Sequence, residues 1–178
     1  MPRIGLFAYG GRTMAKNKDP KTNAMRQLER AKIPYEPYFY ACDERDPFSS
    51  LAIAQEAGDD PSYVYKTLVT TGKSGDHYVF VLPISEELDL KKAAKAVGEK
   101  SVAMVPVKDI ESVSGYIRGG CSPVGMKKQF TTVFDQTAEA KDTFKISGGK
   151  RGIQLIVNPK DVCGLVRGTF QDILLKDE

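Results

Sequence analysis

One histidine, His77, and three scattered cysteines, Cys42, Cys121 and Cys163, are what this 178-residue chain has of the side chains that most often ligate metals or serve as nucleophile and base. No C-x-x-C pair occurs, so neither a disulfide framework nor a zinc site is indicated, and a reducing cytoplasm fits this cysteine usage best. The lone histidine makes Ser/His/Asp and Cys/His centres hard to assemble unless His77 is itself the base, and it sits in Gly72-Lys73-Ser74-Gly75-Asp76-His77, which reads as a surface turn. No apolar run approaches the roughly 20 residues that span a bilayer, and the N-terminus shows no continuous apolar core ending in a cleavage site. G-x-x-x-x-G-K-[ST] and G-x-G-x-x-G are both missing, which disfavours NTPase and dinucleotide chemistry. Carboxylates stand mostly beside lysines, as Asp89 does beside Lys91 and Lys92, and read as a solvated face. No convincing acid/base pair is seen.

What is present is globular: 41% hydrophobic residues and 28% charged, with a formal net charge of +3. Residues 1–20 are non-periodic, contain a second methionine at Met14 and read as a flexible N-terminal extension. Residues 21–178 read as one domain, since no linker divides them. The charge is too small for a protein that coats duplex DNA but suits a local site for a nucleic-acid end. Arg118, Lys127, Lys128, Lys145, Lys150 and Arg151 flank two glycine-bearing loops and focus positive potential if those loops meet.

Taken in order, Thr22 is an N-cap for a helix ending near Ile33-Pro34. Tyr35–Cys42 alternates as a strand, with Pro37 marking an edge. Ser49 or Ser50 can cap a helix through Ala57. Strands at 63–70 and 78–82 form a hairpin about Gly72–Asp76. Asp89 caps a helix from Leu90 to Val97, stopped by Gly98. A strand at 102–107 and a helical turn at 108–114 lead to the first glycine loop. Strands at 131–135, 143–146 and 152–157 follow, and then a short helix that Pro159 begins. Strands and helices without steady alternation predict an α+β fold with a mixed, barrel-like sheet and short surrounding helices.

Two stretches carry chemistry. In Gly119-Gly120-Cys121-Ser122-Pro123-Val124-Gly125, three glycines let amide N–H groups converge on an anion or a carbonyl oxygen while Pro123 stiffens the path; the plain alternative is a tight connection with a steric problem to solve. In Tyr63–Thr70, Lys66 shares an apolar face with Val64 and Leu68. Such a lysine must snorkel to an edge, pair with an acid or point into a cleft, unless it is an ordinary exposed strand lysine.

Tyr65-Lys66-Thr67-Leu68-Val69, Gly-Gly-x-Ser-Pro-x-Gly at 119–125 and Ser147-Gly-Gly-Lys-Arg-Gly152 together resemble the YbaK family over about residues 21–175. These are bacterial Cys-tRNA(Pro) deacylases related to the editing domain of prolyl-tRNA synthetase. The resemblance implies a trans-acting hydrolase that clears tRNA(Pro) mischarged with cysteine, needs no cofactor or metal, and acts in complex with prolyl-tRNA synthetase. It implies that Lys66 binds the terminal adenosine or its phosphate and that backbone amides of the loop running from Gly119 and Gly120 to Pro123 hold the carbonyl. It further implies that Tyr40, Phe48, Thr67, Cys121, Ser122 and Ser147 form the substrate pocket, and that Lys127, Lys128, Lys150 and Arg151 meet tRNA. The thiol of the substrate cysteine is expected to attack its own ester. Gln154 stands where a carboxylate is expected in some relatives; an amide can hydrogen-bond a ribose but cannot act as a base. Three alternatives remain open: an Ala-tRNA(Pro) deacylase, a tRNA-end binding module without turnover, and a thiol enzyme using Cys121.

Overall fold

The computed structural model describes residues 21–40 and 60–176. The expected N-terminal extension and the expected helix after Ser49 lie outside the described residues, as does Phe48.

Helix α1, Asn23–Arg30, starts where Thr22 Oγ1 accepts the Met25 N–H, and it buries Ala24, Met25 and Leu28. Strand β1, Tyr35–Phe39, is shorter than its alternation suggested and sits at a sheet edge, where Pro37 needs no ladder donor. Strands β2, Tyr65–Gly72, and β3, His77–Pro83, form the expected antiparallel hairpin. Helix α2, Leu90–Val97, is capped by the Asp89 carboxylate, which accepts from Lys91 and Lys92 N–H, and ends at Gly98 with φ +74. Strand β4 covers only Val102–Met104, shorter than the expected 102–107, because Pro106 cannot continue a ladder. Helix α3, Ile110–Ser114, strands β5, Thr131–Asp135, β6, Phe144–Ser147, and β7, Ile153–Val157, and helix α4, Pro159–Leu165, complete the elements that were anticipated. A final strand, β8, Thr169–Gln171, was not.

The strands make a five-stranded sheet in the order β4-β2-β3-β5-β8 and a three-stranded sheet in the order β1-β7-β6. A parallel bridge between Val64 and Lys145 joins them at one corner, giving a barrel-like arrangement that does not close. The hairpin divides two cores. On one face Tyr65, Val79 and Val81 pack with Phe144, Ile146, Leu155 and Val157 of the small sheet and with Ala24 and Leu28 of α1. On the other, Phe80 and Leu82 pack with Ala93 and Ala94 of α2 and with Val102.

One irregularity positions the site. Along one edge β2 pairs with β3 over Tyr65–Thr71; along the other it meets Lys145 at Val64 and β4 only over Thr70–Gly72. The Val64 carbonyl accepts from Ile84 N–H on the β3 side, and the Val69 carbonyl accepts from Val105 N–H on the β4 side. Backbone groups alternate sides along a strand, so the N–H and C=O of Thr67 face the gap between these two partners.

Candidate functional site

A cavity of about 490 Å³ occupies that gap, lined by Tyr40, Tyr65, Lys66, Thr67, Leu68, Val69, Ile84, Met104, Val105, Val107, Ile110, Arg118, Gly119, Cys121, Ser147 and Gln154. Five consecutive β2 residues line it, which a strand paired on both edges could not offer to one cavity, because alternate side chains point to opposite faces. The cavity wraps around the open edge. Tyr65, Thr67 and Val69 reach it from the main-core face; Lys66 and Leu68, opposite Leu82 and Phe80, reach it from the other.

Lys66 is half-buried, and among the described residues it makes no ion pair or hydrogen bond. Burial holds its ammonium below the ordinary range, while Glu87 and Glu86 pull weakly the other way. Thr67 Oγ1 is buried and, among the described residues, has no hydrogen-bond partner. Tyr65, before Lys66, is fixed by its tip: its hydroxyl exchanges a hydrogen bond with Thr137 Oγ1 at 2.8 Å, and burial pushes its pKa up to about 12. Thr137 in turn donates to Asp135, which is fully buried.

The glycine loop forms the opposite wall and is tied by its own neighbours. Ser114 Oγ donates to the Ile110 carbonyl and accepts the Tyr116 N–H, and the Tyr116 hydroxyl donates to the Val124 carbonyl at 2.7 Å. Gly125, at φ +82, lies so close to Asn23 that a Cβ would meet its carbonyl carbon at 2.7 Å. The Gly120 N–H donates to the Ile117 carbonyl, whereas among the described residues the N–H groups of Gly119 and Cys121 donate to no other residue. Both of these residues line the cavity.

The two glycine-bearing loops meet. Gly120 packs against the Lys150 backbone, where a Cβ would come within 3.0–3.1 Å of its main-chain atoms, and Arg151 Nε donates to the Arg118 carbonyl at 2.8 Å. Ser147 and Gln154 pair across β6 and β7 in the row next to Tyr38, with both side chains facing the cavity.

Of the residues singled out in the sequence, Lys66, Thr67, Gly119, Cys121, Tyr40, Ser147 and Gln154 are brought together around this space. Gly120, Ser122 and Pro123 are buried behind it; Ser122 Oγ accepts the Val124 N–H and so completes the turn. Lys127 donates to the Ser112 carbonyl at 3.0 Å, and Lys128 sits over the Phe130 ring at 5.9 Å, both outside the lining. Lys150 contributes its backbone to the loop contact and keeps an exposed side chain. His77 lies away from the cavity, bonded to Thr71 Oγ1 and edge-on to Phe130. Burial pushes the Cys121 thiol up to about 11, so at neutral pH it is a protonated wall residue.

Sequence reasoning missed most of the cavity. Val69, Val105 and Ile110 are ordinary apolar residues gathered by strand order, and Arg118, which the sequence placed only among the basic residues flanking the loops, carries the one lining charge besides Lys66 among the described residues. Its place beside Gly119 was the available signal.

The family profile of the aminoacyl-tRNA editing domain matches residues 47–165. The EbsC protein of Enterococcus faecalis, which carries the name of a Cys-tRNA(Pro)/Cys-tRNA(Cys) deacylase, is 46% identical over 165 residues, covering 92% of this chain and all of that protein. Two crystal structures share the fold at low identity. One, described as a trans-editing enzyme for prolyl tRNA synthetase, superposes with a TM-score of 0.73 at 21% identity over 89% of this chain and 100% of its own. The other, the hypothetical protein APE2540, has a TM-score of 0.77 at 18% identity over 86% and 99%. With the profile across most of its length and a relative at this identity along nearly all of it, the chain belongs to the aminoacyl-tRNA editing domain family.

Proposed function

We propose that this protein is a trans-acting deacylase that hydrolyses the ester of Cys-tRNA(Pro), with the substrate thiol as the attacking group. The observation that carries the reading is a cavity of ligand size whose polar groups await partners: a desolvated lysine, the Thr67 hydroxyl and two unoccupied amides. The name of the Enterococcus faecalis relative supports the same substrate class.

In this reading Lys66 holds the phosphate or adenosine at the 3′ end, and Ser147 and Gln154 donate to the ribose. The Gly119 and Cys121 amides donate to the ester carbonyl oxygen as negative charge develops on it. Because Gly120 N–H is held by Ile117, the carbonyl is held by the residues on either side of it. The small side chain lies against Val69, Val105 and Cys121. The thiol sulfur attacks the carbonyl carbon, a C–S bond forms, the ester C–O bond breaks, and the thiol proton passes to the leaving ribose oxygen. Water then opens the resulting thiolactone to free cysteine. An aminoacyl ester is already activated, so positioning and oxyanion stabilisation suffice. A separate hydrolytic step is useful because a proline-sized pocket rejects smaller apolar residues by only about 1–3 kcal/mol.

Prolyl-tRNA synthetase is the partner that would confine action to tRNA(Pro). A deacylation panel tests the whole reading. Cys-tRNA(Pro) is expected to turn over fastest, Ser-tRNA(Pro) far more slowly, and added synthetase is expected to raise the preference for Cys-tRNA(Pro) over Cys-tRNA(Cys). Equal rates on the cysteinyl and seryl esters would sink substrate assistance, and faster turnover of Ala-tRNA(Pro) would reassign the substrate.

A further inference from the structure

A second concavity, of about 370 Å³, lies on the far side of β4 and is bordered by Lys91, Ala94, Lys95, Glu99, Lys100 and Val102. Its charges are arranged unusually. Lys91 and Lys95 stand at i and i+4 on α2, a like-charge spacing that disfavours the helix. Both are exposed, and among the described residues neither they nor Lys100 has an acid partner. The remaining lysine of the first turn behaves differently: Lys92 turns inward to Asp172 at 3.0 Å and to the Leu174 carbonyl at 2.9 Å.

The one carboxylate that borders the groove among the described residues is engaged elsewhere. Glu99 accepts from the Ser74 N–H, the Ser74 hydroxyl and, at 2.6 Å, the Tyr78 hydroxyl, and these donors lower its pKa from the ordinary carboxylate value. It clasps the β2–β3 turn and leaves three ammonium groups around a concave surface. The groove is also close to the ester site. Val102 lines the groove and Met104 lines the cavity, two residues apart on one short strand, or about 7 Å.

We propose that this groove receives the phosphate backbone of the acceptor-arm duplex when the 3′ end is seated in the cavity. The proposal rests on the tRNA substrate argued above and adds the surface that reads the body of that substrate. Three unneutralised lysines bordering one concavity suit a run of regularly spaced anions. By contrast, two of the basic groups around the glycine loops, Lys127 and Arg151, already donate to backbone carbonyls and brace those loops.

The test compares the wild type with a variant carrying Lys91→Gln, Lys95→Gln and Lys100→Gln, all exposed positions outside the cavity. Binding of a fluorescent acceptor-arm RNA hairpin that carries no amino acid is titrated across a salt series, and melting temperatures verify that the variant folds. The expected result is a Kd weaker by about tenfold or more and a log–log salt slope shallower by about 2–3. Hydrolysis of a cysteinylated CCA trinucleotide, too short to reach the groove, is expected to be unchanged. An unaltered Kd and salt slope in the folded variant would overturn the proposal. So would loss of binding to a polyglutamate peptide with the hairpin unaffected, which would mark the groove as a site for an acidic protein. Failure of the wild type to hydrolyse the trinucleotide would count against the deacylase reading, and the hairpin titration would still decide the groove.

Discussion

The two ends of β2 obey different rules. At its C-terminal end, Thr70–Gly72 lie between β3 and β4, and the fully buried Thr70 donates its hydroxyl to the Tyr78 carbonyl at 3.1 Å. Towards its N-terminal end, Lys66–Leu68 have a strand partner on one side only, and the other side opens on the cavity. One end is built for stability and the other leaves polar groups unsatisfied. Residues three or four apart on one strand should therefore answer mutation in opposite ways.

The largest effect is expected at Lys66. Replacement by Ala should remove about 2–5 kcal/mol of binding to the nucleotide end, at least roughly thirtyfold in kcat/KM, with Lys66→Arg restoring only part of it. Stability should move the other way. Because burial depresses its folded value, the protonated amine carries a cost at neutral pH that is relieved as pH rises from the depressed folded value towards the ordinary 10.5. Lys66→Met should accordingly match or exceed the wild-type melting temperature at pH 7, and the difference should shrink in alkali. A folded Lys66→Ala enzyme with full activity would remove the contrast between the two ends.

Next comes Gly119→Ala. At φ +87, with a Cβ 3.0 Å from Arg151 Nε, it should cost about 1–3 kcal/mol of stability and shift an amide that, in the proposed mechanism, donates to the ester carbonyl, lowering kcat by about 10²-fold. Thr70→Val sharpens the comparison from the closed end. It should lose about 0.5–1.5 kcal/mol in denaturant unfolding and leave kcat/KM unchanged. The smallest effect is expected at Cys121→Ala, which should keep most of the activity, while the wild type should resist thiol alkylation at neutral pH. Inactivation by either would restore this cysteine as the nucleophile.

How much of this was legible follows the same division. Features with local causes were readable: Thr22 and Asp89 as caps, Gly98 as a stop, Pro159 opening α4, and the hairpin. Features made by distant pairing were not. β8 is three residues long and is a strand only because β5 lies parallel beside it. Period-two reasoning placed Lys66 and Thr67 on opposite faces, correctly, yet could not show that an unpaired edge lets both reach one cavity. Nor could it show that the amides on either side of Gly120 remain unoccupied, since that depends on a contact to Ile117. The lysine, the glycines and the serine of the site were visible because each is unusual for its local setting. Its apolar walls were not, because Val69, Val105 and Ile110 are residues that any core would use.

The open edge of β2 has a consequence beyond substrate handling. Backbone N–H and C=O groups left without a ladder partner are a template for further pairing, and exposed sheet edges are commonly guarded against it by charge. Here the guard is the architecture: the open stretch of β2 lies between the Val64–Lys145 bridge and β4 and faces the glycine loop across the cavity, so a second chain has no length of edge to align along. Replacing Lys66 is therefore expected to leave the protein as resistant to self-association as before.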